Sequence, residues 1–369
     1  MDARAFLKEE IKKISKLDGS DLYIKAGEKF RYRLAQNVKI LDDNKLTAAE
    51  VESLVNQITN DYHKKLLDEK GSVDFALDFE DAGRVRLNIF SQRGELCLVL
   101  RRVRNEIPSF EQLHIPPVLK SIAEQQRGLV LIGGATSSGK TTTIAAMIQH
   151  INNTLERHIV TIEDPIEYSF KDNKAMVNQR EIGSDTNSFH DSLRYIVRQA
   201  PDVIIIGEMR DQETFTAALA AAETGRLLIS TIHARNVVQV FERILGFFPA
   251  EQHLQIMNQL AFNLLAISVQ RMLTQVDGVS IMPAFEVLTM SPAATKLARE
   301  SRLGQLTQVM QQSGQDGMQT FNQALLKLYN SKKITQEEAF KASDNPQQLA
   351  MNMKGIFLDE AAGGILSAS

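Results

Sequence analysis

Residues Gly134-Ala-Thr-Ser-Ser-Gly139-Lys140-Thr141 fit the pattern G-x-x-x-x-G-K-[S/T]. Chance would supply these four fixed positions in only about one chain in a hundred of this length. The apolar run Leu129–Ile132 feeds the motif and Thr142–Ile151 reads as a helix leaving it, the strand–loop–helix order of a phosphate-cradling loop. Glycines let the backbone approach the phosphates, so that amide N–H groups and the helix N-terminus face negative charge. Gly134, Ala135, Thr136, Ser137, Ser138, Gly139, Lys140, Thr141 and Thr142 are therefore the candidate nucleotide-binding residues. Within them Lys140 is expected to reach the β- and γ-phosphates and the Thr141 hydroxyl to ligate Mg2+, with ATP as the nucleotide.

Other short apolar runs share that fold logic. Gly128–Ile132, His158–Ile162, Val203–Ile206 and Leu227–Ile232 alternate with helical stretches, which predicts a parallel sheet covered by helices. Upstream the pattern differs. A helix over Phe6–Leu17 precedes strands at Asp21–Lys25, Val38–Leu41, Val73–Phe79, Arg84–Phe90 and Leu96–Val103, with one or two helices in Thr47–Leu67; the turns at 81–83 and 92–94 make the last three strands a meander. The expected fold is α/β: an α+β domain at 1–104, a proline-marked linker at 105–118, an ATPase core at 119–290, and a region at 291–369 ending in a frayed tail, Ala361–Ser369. From about Ala250 the chain reads mostly as helices.

Acidic residues follow two of these strands. Pro201-Asp-Val-Ile-Ile-Ile-Gly207-Glu208 is a buried strand ending in a carboxylate, which is expected to contact Mg2+ through water. Thr161-Ile-Glu163-Asp-Pro-Ile-Glu167 crowds three carboxylates into five residues, an arrangement that favours a nearby cation or an attacking water to orient. Ser230-Thr-Ile-His233 ends the fourth strand; a histidine there is either a packed residue or a polar sensor.

Composition excludes other classes. With 42 Lys+Arg against 45 Asp+Glu the chain carries −3, unlike a protein built to coat nucleic acid, so no nucleic-acid partner is expected. One cysteine, Cys97, rules out an internal disulfide and a multi-cysteine zinc site. The first residues lack a secretory signal and no run approaches the ~18 apolar residues of a membrane span. A cytoplasmic chain, peripheral at most, is expected.

The P-loop, the acidic box Glu163–Glu167, Gly207-Glu-Met-Arg-Asp211, Ala222-Glu-Thr-Gly225 and Ser230-Thr-Ile-His233 resemble, in order and spacing, the secretion ATPases. Within that superfamily the chain is similar to the type IV pilus retraction ATPases of the PilT/PilU kind, from about Ser20 to Leu349. The segments Gly317-Met-Gln-Thr-Phe and Val99-Leu-Arg-Arg-Val lie nearer the PilU branch. The resemblance implies a hexameric ring of subunits, each with a PAS-like N-terminal and a RecA-like ATPase domain, that retracts pili at the inner membrane by ATP hydrolysis. It also implies a platform-protein partner and a possible second retraction ring. By the same resemblance Glu167 is the catalytic base, Glu208 the Walker B acid, His233 the γ-phosphate sensor, and Arg86 and Arg101 the arginines completing the ATP site. Two alternatives stand beside retraction: an assembly or secretion ATPase of the same superfamily, and a weakly hydrolysing ring component. Two positions depart from the family pattern, Arg226 in place of a histidine and Ser137 in place of a glycine. Glu223 is a candidate partner for Arg226.

Overall fold

The computed structural model describes residues 2–34, 37–103, 106–359 and 364–367. The chain divides into two units, one of residues 1–106 with 165–169, the other of 107–164 with 170–369.

In the first unit, helix α1 (Ala3–Lys16) starts where the Asp2 carboxylate accepts the Ala5 N–H, satisfying an end group that the helix itself leaves free. It buries Leu7, Ile11 and Ile14. Strands β1 (Asp21–Lys25), β2 (Arg31–Leu34) and β3 (Asn37–Ile40) follow. Helices α2 (Ala48–Ile58) and α3 (Asp61–Lys70) come next, α2 opened by a Thr47/Glu50 capping box. The expected meander is present as β4 (Ser72–Phe79), β5 (Gly83–Gln92) and β6 (Glu95–Arg102). Alternate residues of β4 are buried, the period of a sheet with one covered face. All six strands pair antiparallel in the order β3-β2-β1-β6-β5-β4. The sequence did not signal β2.

The second unit opens with α4 (Pro117–Ala123) and β7 (Gly128–Gly134), whose seven residues are all buried. Then come α5 (Lys140–Thr154), β8 (His158–Glu163), β9 (Met176–Glu181), α6 (Phe189–Ile196), β10 (Val203–Ile206), α7 (Gln212–Glu223), β11 (Leu227–Ile232) and α8 (Val237–Leu245). The expected parallel sheet forms, its strands apolar on both faces because helices cover both.

Beyond Ala250 the helical expectation fails in one stretch. Helix α9 (His253–Asn263) gives way to two long strands, β12 (Leu264–Thr274) and β13 (Ile281–Thr289). β12 runs parallel to β7 and antiparallel to β13, completing the order β13-β12-β7-β11-β10-β8-β9. Buried on both sides over Ala266–Gln270, β12 shows no alternation to separate it from a buried helix. Helices α10 (Pro292–Arg299), α11 (Leu306–Gln312), α12 (Phe321–Asn330), α13 (Gln336–Ala342) and α14 (Pro346–Met353) follow. Of the tail expected to fray, Gly364–Ser367 pairs with Ile356–Asp359; its residues 361–363 and 368–369 lie outside the described residues, as does the expected domain boundary at 104/105.

Candidate nucleotide site

β7 delivers the P-loop and α5 leaves it, at the edge of the sheet where β8, β10 and β11 also end. Gly134 has φ +151°, and a Cβ there would lie 2.3 Å from Ser138 Oγ and 2.8 Å from the Gln270 carbonyl oxygen. Only glycine fits. Gly139 turns into α5 at φ +86°. Between them Ser137, the departure from the family glycine, takes φ +63°, a left-handed conformation that costs an L-residue roughly 1–2 kcal/mol. The Lys140 ammonium donates to the carbonyl oxygens of Gly134 (3.1 Å) and Ala135 (2.8 Å), so it lies across the loop it is expected to serve.

Ala135, Thr136 and Ser137 are exposed, whereas Thr141 and Thr142 in the first turn of α5 are half-buried. Ser138 Oγ is buried and without a partner among the described residues. An unpaired buried hydroxyl facing a glycine cradle fits a loop made to receive further oxygen atoms.

The carboxylates arrive on neighbouring strands. Ile162 of β8 pairs with Ile206 of β10, and the Gly207 N–H donates to the Ile162 carbonyl, so Glu163 and Glu208 end adjacent strands. Glu163 Oε1 accepts the Thr161 hydroxyl (2.6 Å) and the Gln179 amide (3.0 Å). Glu208 accepts Arg210 Nη2 on Oε2 (2.7 Å), and its Oε1 lies 3.1 Å from His233 Nε2. That pairing pushes the Arg210 guanidinium further above its ordinary value, chiefly by the hydrogen bond to Glu208. The backbone beneath is tied down: Thr231 Oγ1 donates to the Gly207 carbonyl and the Met209 N–H to the Thr231 carbonyl.

Thr141 and Glu208 offer a hydroxyl and a carboxylate, hard oxygen donors suited to Mg2+. No cluster of three or more His, Cys, Asp or Glu poised for a metal exists among the described residues.

Glu167, Arg86 and Arg101 line one cavity of the first unit. Residues 165–169 belong with the first unit, where a cavity of about 230 Å3 is lined by Arg86, Arg101, Arg102, Val103, Ile166, Glu167 and Tyr168. Arg86 of β5 sits directly opposite Arg101 of β6, a like-charge pair that needs nearby anions. Arg101 Nε has one in the buried carboxylate of Asp21, at 2.6 Å.

Arg226 does not meet Glu223. The chain turns at Gly225 (φ +88°). The Arg226 guanidinium then donates to the carbonyls of Pro201 (3.1 Å) and Val197 (3.2 Å) and to the Thr224 hydroxyl. Glu223 instead accepts from Gln259 and Asn263 of α9. Sequence reasoning also missed Gln179, Arg210 and Gln270. Gln179 and Gln270 contribute through fold contacts that spacing does not encode, whereas Arg210 stands two residues after Glu208 within the quoted motif.

The sequence matches the Type II/IV secretion system protein family over residues 3–353. The chain belongs to this family. The type IV pilus ATPase PilU of Pseudomonas aeruginosa is 40% identical over 91% of this chain and 88% of its own. The retraction ATPase PilT of the same organism is 35% identical over 90% of this chain and 96% of its own. A crystal structure of the pilus retraction motor PilT with bound ADP superposes with a TM-score of 0.87 at 42% identity, covering 93% of this chain and 98% of that one. Membership of the PilT/PilU group of P-loop ATPases, with an N-terminal sheet domain and a RecA-like domain, agrees with the resemblance read from the motifs.

Proposed function

We propose that this chain is an ATP-hydrolysing motor for type IV pilus retraction, working as a homo-hexameric ring on the cytoplasmic side of the inner membrane against a platform protein. What carries the reading is a P-loop flanked by strand-end carboxylates Glu163 and Glu208, in a chain similar over nine-tenths of its length to PilU and PilT. An assembly or secretion role is less well supported, because the type II secretion protein E of Xanthomonas campestris is matched over only 54% of its length.

In this reading the loop amides, Lys140 and the helix N-terminus bind the phosphates. Thr141 and Glu208 would hold Mg2+, which when bound neutralises charge on the phosphate oxygens. Glu208 is kept oriented by Arg210 and His233, and His233 senses the terminal phosphate. Two carboxylates compete for the role of general base. Glu167 lines one cavity together with Arg86 and Arg101. Glu163 ends the strand beside Glu208 and accepts the Thr161 hydroxyl and the Gln179 amide. The resemblance to the family assigns the base to Glu167, with Arg86 and Arg101 stabilising transferring phosphoryl charge, and Glu163 is next in line. Single-turnover hydrolysis by Glu163→Gln and Glu167→Gln decides between them. A fall of about a hundredfold or more in Glu167→Gln alone supports Glu167, and the reverse pattern moves the role to Glu163. Deleting the gene tests the cellular role: abundant surface pili on immobile cells support retraction, and bald cells support assembly.

A further inference from the structure

The side chain of Gln270 on β12 is buried against the P-loop from the far side of the sheet order. Its Nε2 donates to the Ser138 carbonyl at 2.5 Å, and its Oε1 accepts the Thr143 hydroxyl at 2.9 Å. The amide orientation is forced, because a carbonyl oxygen can only accept and must therefore face the NH2. The Gln270 backbone pairs with Gly134 at the other end of the loop. A Cβ on Gly139 would lie 3.0 Å from Gln270 Nε2. One residue thus touches the beginning, the end and the outgoing helix of the phosphate cradle.

A trans peptide points its C=O and the next residue's N–H in opposite directions. Pinning the Ser138 carbonyl against Gln270 therefore turns the Gly139 N–H away from β12, toward the interior of the loop. Gly139 at φ +86° could otherwise rotate this peptide at little cost, because glycine has no steric preference there. We propose that Gln270 is a positioning residue that fixes the Ser138–Gly139 peptide with its N–H toward the phosphates, and so sets nucleotide affinity. Thr143 holds the Gln270 amide in the orientation that does this. The proposal rests on reading the loop as the phosphate cradle.

The test is binding of a fluorescent ADP analogue to the full chain. Lys140→Ala tests the underlying reading; if it binds like the wild type, the cradle is misassigned, whatever Gln270 does. Gln270→Leu keeps the volume and removes the donor, and should weaken binding by about tenfold, the worth of one well-made hydrogen bond in a buried site. Gln270→Glu gives the discriminating signature. Its carboxylate cannot donate to Ser138, whereas its protonated form can. Relative to the wild type at each pH, its affinity should be poor at pH 8 and recover as pH falls toward 5.5. Should Gln270→Leu fail to fold, Thr143→Val replaces it, with a several-fold loss expected and Thr143→Ser restoring it. Binding within twofold of the wild type in the folded Gln270→Leu or Thr143→Val protein overturns the proposal. So does a Gln270→Glu protein whose relative affinity does not change with pH.

Discussion

His233 Nε2 lies 3.1 Å from Glu208 Oε1, which joins the residue following β11 to the second residue past β10 in one contact. Arg210 occupies the second oxygen of the same carboxylate at 2.7 Å. Glu208 thus has a donor on each oxygen, and a change in either partner reorients it. His233→Ala should lower ATP hydrolysis by about tenfold to a hundredfold while ADP binding stays within about threefold, because the imidazole orients the acid and leaves the cradle intact. His233→Gln restores a neutral N–H donor and should recover part of the loss. Phosphate release and nucleotide titration measure the two quantities separately, and equal losses in both would place His233 in the cradle itself.

The same loop supplies two substitutions of opposite sign. Ser137 at φ +63° is strained, whereas Gly134 at φ +151° is enclosed by Ser138 Oγ and the Gln270 carbonyl. Ser137→Gly relieves the strain but gives the unfolded chain more freedom, leaving a net gain of up to about 1 kcal/mol. Gly134→Ala has neither space nor a permitted backbone conformation, and should cost several times that amount, about 3 kcal/mol or more. Thermal unfolding of both variants without nucleotide checks the contrast. A destabilised Ser137→Gly protein would mean that the serine side chain makes a stabilising contact that outweighs its strain.

The cradle was legible because its chemistry is local: four fixed residues between an apolar strand and a helix. The parallel strands were legible for a related reason, since burial on both faces leaves unbroken runs such as Val203–Ile206. What stayed hidden depends on pairing across long sequence separations. β12 borders β7 through contacts between Leu264–Gln270 and Leu129–Gly134. Its inner residues are buried on both faces, polar Ser268 and Gln270 included, so burial gives the strand no period of its own. Gln270 reads as an interruption of that run until the sheet brings it to Ser138, 132 residues away. Glu167 shows a different limit. It shares an acidic box with Glu163, yet Pro165 begins a segment that groups with the first unit, a division that the run of acidic residues does not mark.

Glu286 on β13 gives the chain a pH dependence. Burial pushes its carboxyl up to about 7, against the opposing hydrogen bond from the Val237 N–H and the nearby Arg271 cation. Asp344, which also raises it, accepts Arg271 Nη2 on both carboxylate oxygens, at 2.7 and 2.8 Å. With the folded value above the unfolded 4.5, the native state holds the proton that the unfolded state has lost. Stability from this group is therefore fully present below about pH 4.5 and is lost as pH rises to about 7, on the order of 3 kcal/mol in all. Glu286→Gln keeps the acceptor for Val237 and removes the titration. Urea midpoints at pH 5.5 and 7.5 should show the variant gaining on the wild type at the higher pH. Parallel behaviour at the two pH values would mean that Glu286 is ionised in the folded state throughout.

Arg226 stands where the family usually has a histidine, and its contacts identify a mechanical role. The guanidinium ties the carbonyl of Val197, just past α6, and that of Pro201, ahead of β10, to the start of β11. Arginine can do this because its planar fork presents several donors along diverging directions. An imidazole is shorter and offers at most two, so Arg226→His should leave at least one carbonyl without its partner. We expect a loss of about 1–3 kcal/mol in stability. Turnover measured well below the melting transition should remain within about threefold of the wild type, because none of these acceptors belongs to the nucleotide site. Arg226→Lys should fall between the two, keeping the charge without the fork. Unfolding curves and ATP turnover, each taken with and without a partner retraction ATPase, check both halves. If Arg226→His raised basal turnover while its stability stayed unchanged, the arginine would be restraining the ring and not bracing the sheet.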